Sequence, residues 1–93
     1  MSYELAYHEL VMREDIPALP KTMRERIKRA IEDRLTTEPD LYGKPLRRSL
    51  AGYRTLRVGD YRVIFRIEGT VVKIFLIAHR SVVYAHAGKR FRF

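Results

Sequence analysis

The chain has 93 residues, 46% of them hydrophobic, with no cysteine and with 19 lysines and arginines against 11 acids, for a formal net charge of +8. That length and apolar content suit one domain, residues 1–93, with a small core. They exclude a disulfide framework, a thiolate metal site and, since no apolar run approaches the ~20 residues of a span, a transmembrane helix. His8, His79 and His86 are too scattered to form a ligand set at any familiar spacing, so neither metal nor other cofactor is expected. The opening MSYELAYHEL lacks the basic-then-apolar layout of a secretion signal, which points to a cytoplasmic protein.

The charge is divided by position. Positions 1–42 hold seven basic residues against nine acidic, whereas positions 43–93 hold twelve basic and only Asp60 and Glu68. A field aimed in this way attracts nucleic acid, an anionic membrane or an acidic protein. A membrane surface would call for a basic amphipathic helix, but the excess lies on the strand-rich half, so no membrane partner is expected.

In chain order, Tyr3, Leu5 and Tyr7 alternate with Glu4 and Ala6 as a half-buried strand. Glu14-Asp15-Ile16-Pro17 reads as the start of a first helix that Pro20 stops after about a turn. Met23, Ile27, Ala30, Ile31 and Leu35 then share one face of a second helix over 21–36, with Glu25, Lys28, Arg29, Glu32 and Asp33 on a solvated face. Gly43-Lys44-Pro45 links to three strands. Residues 53–58 and 61–67 flank a two-residue Gly59-Asp60 turn, and the nearly continuous apolar run 71–78 reads as a strand covered on both faces. On the second of these strands Tyr61, Val63, Phe65 and Ile67 face one way and Arg62, Ile64 and Arg66 the other. The order predicts an α+β domain, two amino-terminal helices on one face of a curved, mainly antiparallel sheet, with the other, concave face left to the arginines. Lys89-Arg90-Phe91-Arg92-Phe93 closes a segment, 85–93, that reads as a flexible basic tail and receives no site.

GKPLRRSLAG (43–52), YRTLRVGDYRVIFRI (53–67) and HRSVVY (79–84), preceded by Leu19-Pro20-Lys21, resemble the RelE/ParE superfamily of toxins of toxin-antitoxin systems, nearest its RelE-type branch. The resemblance spans nearly the whole chain and implies the RelE-like fold. RVGDYRVIF (57–65) is specific for the superfamily, but members that cut RNA and members that poison gyrase both carry it. For the RelE type, the resemblance implies a metal-free endoribonuclease that enters the ribosomal A site and cuts messenger RNA by attack of a ribose 2′-hydroxyl on the adjacent phosphate. It also implies a cognate antitoxin, the ribosome and mRNA as partners, with toxin and antitoxin forming a hetero-oligomer. Arg62 matches the family's arginine of the middle strand, Arg80 the one after the central strand, and Tyr84 the late tyrosine. The first two are expected to stabilise the phosphorane-like transition state.

One departure bears on mechanism. Where the best-studied branch has two lysines on the strand before the hairpin, this chain has Tyr53 and Thr55, with Arg54 and Arg57 as the nearby cations. Arginine does not give up its proton at accessible cost, so no strand arginine serves as general base. Tyr84 and His79 remain: an imidazole ordinarily titrates near neutrality, which favours His79 on chemistry, while the resemblance favours Tyr84. Lys44, Arg47, Arg48, Arg54, Arg57 and Arg66 are the expected RNA contacts, because two acids in that half cannot neutralise them. Tyr53 is a candidate for stacking a base. The rival readings are a non-catalytic ParE-type inhibitor of DNA gyrase and an inactive domain that only binds an antitoxin.

Overall fold

Strands β1 (Glu4–Tyr7), β2 (Lys44–Pro45), β3 (Arg54–Val58), β4 (Tyr61–Glu68) and β5 (Val71–His79) form one sheet in the order β1-β5-β4-β3-β2 in the computed structural model, which describes residues 2–91. β1 runs parallel to β5, and every other neighbouring pair is antiparallel. The hairpin between β3 and β4 turns at Gly59-Asp60, where Gly59 has φ +60°, a conformation that glycine adopts without a Cβ penalty.

Helical winding begins earlier than Glu14. His8 initiates it: its Nδ1 accepts the N–H of Leu10 at 3.0 Å and its carbonyl accepts that of Val11 at 2.9 Å. A π-helical turn, Val11–Asp15, then runs into α1 (Ile16–Ala18), so Glu14 lies inside the winding. Pro20 ends it as expected, since the residue before a proline is driven extended, and Leu19 has ψ 143°. Helix α2 (Lys21–Ala30) continues through a second π-helical stretch, Ile31–Leu35, and the short α3 (Pro39–Tyr42) follows. Ile27, Ile31 and Leu35 from this second helix, with Val11 and Leu19, bury themselves against Leu56, Val58, Val63, Phe65, Val72, Ile74 and Ile77.

The opposite face is not left to the arginines. Ile64, Phe75, Leu76 and Ala78 form a second core there with Val83 and Ala87 of a further helix, α4 (Val83–Arg90), and Leu46, Leu50, Tyr53 and Phe91 pack around it. A β-bulge makes this possible. Ile64 opposes Leu76 while Phe65 opposes Ile74, so Phe75 is an extra residue that reverses the alternation of β5. Ile74 and Ile77 thereby reach the first core while Phe75, Leu76 and Ala78 reach the second, which accounts for the unbroken apolar run.

Residues 85–90 of the expected tail belong to this helix. It is held by a feature that spans 75 positions: Arg90 and Asp15 make a two-pronged ion pair at 2.6 and 3.0 Å, each side chain only 8% exposed. β1 pairs with β5 only as far as Ile74, which leaves that edge of β5 without a strand beyond it. There Asp15 Oδ2 accepts the Ile77 N–H at 2.9 Å and Arg90 Nη1 donates to the Phe75 carbonyl at 3.1 Å. The pair therefore satisfies backbone groups that the short β1 cannot. Arg92 and Phe93 lie outside the described residues.

Candidate nucleic-acid interface

The cations gather around the tip of the β3–β4 hairpin. Arg57, Arg62 and Ala78 are in register across β3, β4 and β5, which puts Arg57 and Arg62 side by side on the α4 face. Direct neighbours of like charge repel unless something holds them. Arg62 is held by the turn itself, its Nη1 donating to the carbonyls of Gly59 and Tyr61, both at 2.9 Å. Arg80 reaches the same turn: its N–H donates to the Asp60 carbonyl at 2.8 Å, and its side chain lies 3.6 Å from the Asp60 carboxylate. Both side chains of that pair are about two-thirds exposed, so the contact is a weak one that a phosphate can displace. Beyond a turn closed by Val82 N–H to His79 carbonyl, Val83 is buried and Tyr84, 52% exposed, projects outward from the first turn of α4. The tip thus brings together Arg57, Arg62 and Arg80, with Tyr84 on the adjoining helix.

His79 is directed elsewhere. It opposes Tyr61, on the side of the sheet away from Arg62, and the two rings meet edge-on with centroids 5.4 Å apart. Its Nδ1 accepts the Ser81 N–H at 3.1 Å and lies 2.8 Å from the Ser81 hydroxyl. A nitrogen that accepts an N–H carries no proton of its own, so this hydrogen bond assigns the proton to Nε2 and occupies the lone pair a base would use.

Arg54 opposes Phe65 on the α2 face and donates to the carbonyls of Asp40 and Gly43, at 3.1 and 2.9 Å. It closes the end of α3 against the sheet, where a side chain on Gly43 would run into the Phe65 ring. Arg66 sits at the far end of β4, four residues or roughly 13 Å from Arg62. There it pairs with Glu68 at 3.3 Å and lies over the Tyr53 ring, 5.6 Å from its centroid. Tyr53 itself is half-buried and packs around the second core, its ring against Phe75 and Phe91. Thr55, at the other position where the family pattern has lysine, is 6% exposed, and its hydroxyl has no partner among the described residues. Lys44 opposes Thr55 at the sheet edge and is exposed. Arg47 and Arg48 are exposed on the loop whose Leu46 and Leu50 face the second core; Arg48 has φ +60°.

Both acids of the basic half are engaged, Asp60 by Arg80 and Glu68 by Arg66 and by Lys73 at 2.9 Å. Among the described residues Arg57 and Arg62 have no carboxylate within ion-pair reach. The Lys73 hydrogen bond, aided by the charges of Lys73 and Arg66, holds the Glu68 carboxyl below the usual glutamate range. A depressed folded-state value means that the contribution to stability is present above the unfolded value and is lost as pH falls through the folded one. An NMR titration of Glu68 should therefore have its midpoint below that of a free glutamate, and a midpoint at or above it would rule the pairing out.

The buried Asp15–Arg90 pair has no counterpart in the sequence reading. Among the described residues no three His, Cys, Asp or Glu side chains converge on a metal position, and no helix is long and apolar enough to cross a membrane.

Residues 7–84 match the family model described as the ParE toxin of the type II toxin-antitoxin system parDE. The chain is similar to Toxin RelG of Mycobacterium tuberculosis, 39% identical over 74 residues that cover 77% of this chain and 85% of the relative. It is similar as well to Toxin RelE of the same organism, 34% identical over 89 residues, or 90% and 92% of the two chains. Among solved structures, the toxin-antitoxin complex RelBE2 from M. tuberculosis contains a chain that superposes with a TM-score of 0.80 at 34% identity, covering 87% of this chain and 94% of that one. The isolated RelE toxin of E. coli superposes with a TM-score of 0.69 over 96% and 98% of the two chains; at 22% identity it shares the fold.

Proposed function

Because the chain belongs to the RelE/ParE superfamily of toxins of type II toxin-antitoxin systems, we propose that it is a RelE-type endoribonuclease of the cytoplasm, which cuts messenger RNA in the ribosomal A site and is neutralised by a cognate antitoxin. The observation that carries this reading is the hairpin tip, where Arg57 and Arg62 have no carboxylate among the described residues and stand beside Arg80, whose only acid is an exposed one.

In the proposed reaction the 2′-oxygen of the nucleotide before the cut attacks the adjacent phosphorus, and the bond from phosphorus to the 5′-oxygen breaks. The 2′-hydroxyl proton passes to a base, and the departing 5′-oxygen takes up a proton. The products are a 2′,3′-cyclic phosphate and a free 5′-hydroxyl. Charge accumulates on the non-bridging oxygens as phosphorus becomes five-coordinate, and planar guanidinium groups fixed beforehand stabilise it. Arg62 is such a group, held beforehand by the two turn carbonyls it donates to; Arg80 is the second. Tyr84 is the base, its hydroxyl unpartnered among the described residues and its helix fixed by Val83 and Ala87. In this reading the chemistry is carried by these side chains without a metal.

Mapping RNA ends on ribosome-bound message after induction, together with a gyrase supercoiling assay on the purified protein, tests the reading. Cuts within A-site codons support it; inhibited gyrase with intact RNA selects the ParE-type alternative. Arg62→Ala and Arg80→Ala should each lower single-turnover cleavage by roughly 10²-fold with unchanged melting, the usual loss for one fixed donor. Near wild-type rates in both would overturn their assignment. The antitoxin, as a partner in a hetero-oligomer, should cover the arginine-bearing tip with an acidic or apolar segment, and its affinity should fall as salt rises. An affinity indifferent to salt would count against that mode of inhibition.

A further inference from the structure

The edge of β3 beside α2 is open. β2 pairs only with Arg54 and Thr55, so from Leu56 to Val58 no strand covers it. A cleft of about 540 Å³ lies between this edge and α2, lined by Arg26, Arg29, Arg34 and Arg57 with Glu25 and Asp33. The sequence reading assigned this side of α2 to plain solvation. Arg26, Arg29 and Arg34 instead line one concavity with two acids and with the edge residue Arg57, and among the described residues none of the four arginine side chains makes a hydrogen bond or an ion pair. Arg34 lies 5.8 Å from the centroid of the Tyr42 ring.

Like charges collected in a concavity raise its positive potential and favour a bound anion. Arginine, with its planar fork, suits an oxygen-rich anion such as a phosphodiester. The cleft is also continuous with the hairpin tip. Arg57 stands on the edge strand between the two, its side chain on the α4 face, and the Arg26 guanidinium comes within 3.1 Å of where a Cβ on Gly59 would stand, on the same turn whose carbonyl holds Arg62. A polyanion lying across the tip therefore meets a second set of cations on the far side of Gly59. An acidic peptide offers charge only at chosen side chains, whereas a nucleic-acid strand offers it at every residue and so serves both sets.

We propose that the cleft between α2 and the open edge of β3 is a second phosphate-binding groove, which holds an RNA backbone that continues past the hairpin tip. This rests on the reading of the tip as an RNA site. The phosphates can come from the message itself or from structured ribosomal RNA, and the two sources are separable.

The test is the salt dependence of binding to a short single-stranded RNA and to an RNA hairpin, both 2′-O-methylated so that they cannot be cut, for the wild-type chain and for Arg26→Gln/Arg29→Gln. Each phosphate contact to a single strand contributes about 0.7 to the slope of log affinity against log salt, so the double variant should lose roughly 1.4 with unchanged melting. Arg26→Lys/Arg29→Lys, which keeps both charges, should retain most of the slope. Loss confined to the hairpin assigns the groove to structured RNA and still supports it. Unchanged slopes on both RNAs would overturn the proposal. So would weakened binding to a polyglutamate peptide with RNA binding intact, which would make the cleft a protein site. A wild-type chain that binds RNA through the groove yet cuts no message would leave this inference standing and remove the nuclease reading alone.

Discussion

Replacing Tyr84 with phenylalanine is expected to lower single-turnover cleavage of ribosome-bound message by about 10²–10⁴-fold, the range for loss of a general base, while His79→Ala should cost no more than severalfold. Chemistry and resemblance rank these two residues in opposite orders, and their surroundings differ. His79 turns its ring toward Tyr61, away from the face that carries Arg62, and its Nδ1 lone pair is occupied by the Ser81 N–H. Tyr84 stands on the helix that follows Arg80, half exposed and fixed from below by Val83. Phenylalanine keeps the ring and removes only the hydroxyl, so a large fall in rate with unchanged melting would isolate the oxygen as the active group. The reverse order, with His79→Ala the damaging change, would return the base to histidine. Near wild-type rates in both would mean that the proton goes to a group outside this chain.

The second large effect concerns stability. Asp15→Ala or Arg90→Ala should each destabilise the fold by about 3–5 kcal/mol, because either change leaves the other charge buried without its partner. The loss exceeds that of a surface pair, since each side chain is 8% exposed and each also satisfies a backbone group of β5. Chemical denaturation of the purified variants measures it, and the double variant should lose less than the sum of the singles, as expected for residues in contact. A loss below about 1 kcal/mol in both singles would place the pair in the category of surface ion pairs. Since Arg90 is the last residue of the helix that begins at Val83, amide exchange in Arg90→Ala should rise most along α4.

Those two residues mark where the sequence could be read and where it could not. The alternation Tyr61-Val63-Phe65-Ile67, the Gly59-Asp60 turn and the apolar stripe Ile27-Ile31-Leu35 are local patterns, each specified by neighbours within a few residues, and they appear in the fold as the periodicity implies. Asp15 and Arg90 are 75 positions apart, and nothing near either one announces the other. Helix α4 was hidden for a different reason. Its buried face is Val83 and Ala87, continued by Phe91, so a single small residue sits where a strong amphipathic signal would need a large one, and Gly88 weakens the helical pattern further. The bulge at Phe75 was masked by its own result, because a strand apolar on both faces has no alternation to interrupt.

The candidate site was legible in part. HRSVVY and RVGDYRVIF pointed to Arg62, Arg80 and Tyr84, and the structure places Arg62 and Arg80 at one turn with Tyr84 on the helix beyond. Arg54's side of the sheet was legible, since it shares a face with Leu56 and Val58, both core residues on the α2 side. The ion-pair cluster of Arg66, Glu68 and Lys73 was not legible, because Lys73 reaches Glu68 only through the pairing of β4 with β5.

The parallel seam between β1 and β5 also dictates when the protein can exist during its own synthesis. Glu4–Tyr7 must wait for Val71–Ile74, some 67 positions later, and non-local pairing of this kind forms slowly because its closure entropy comes before any contact rewards it. A nascent chain that has emerged only through β4 exposes a half-built sheet, with an unpaired β4 edge and with Ile64 lacking the Phe75, Leu76, Val83 and Ala87 that bury it, and has neither Arg80 nor Tyr84. Under the proposed function, the ribosome that makes this chain is therefore screened from it until β5 and the segment behind it have emerged, whereas that same unfinished sheet offers an exposed surface to any partner already present.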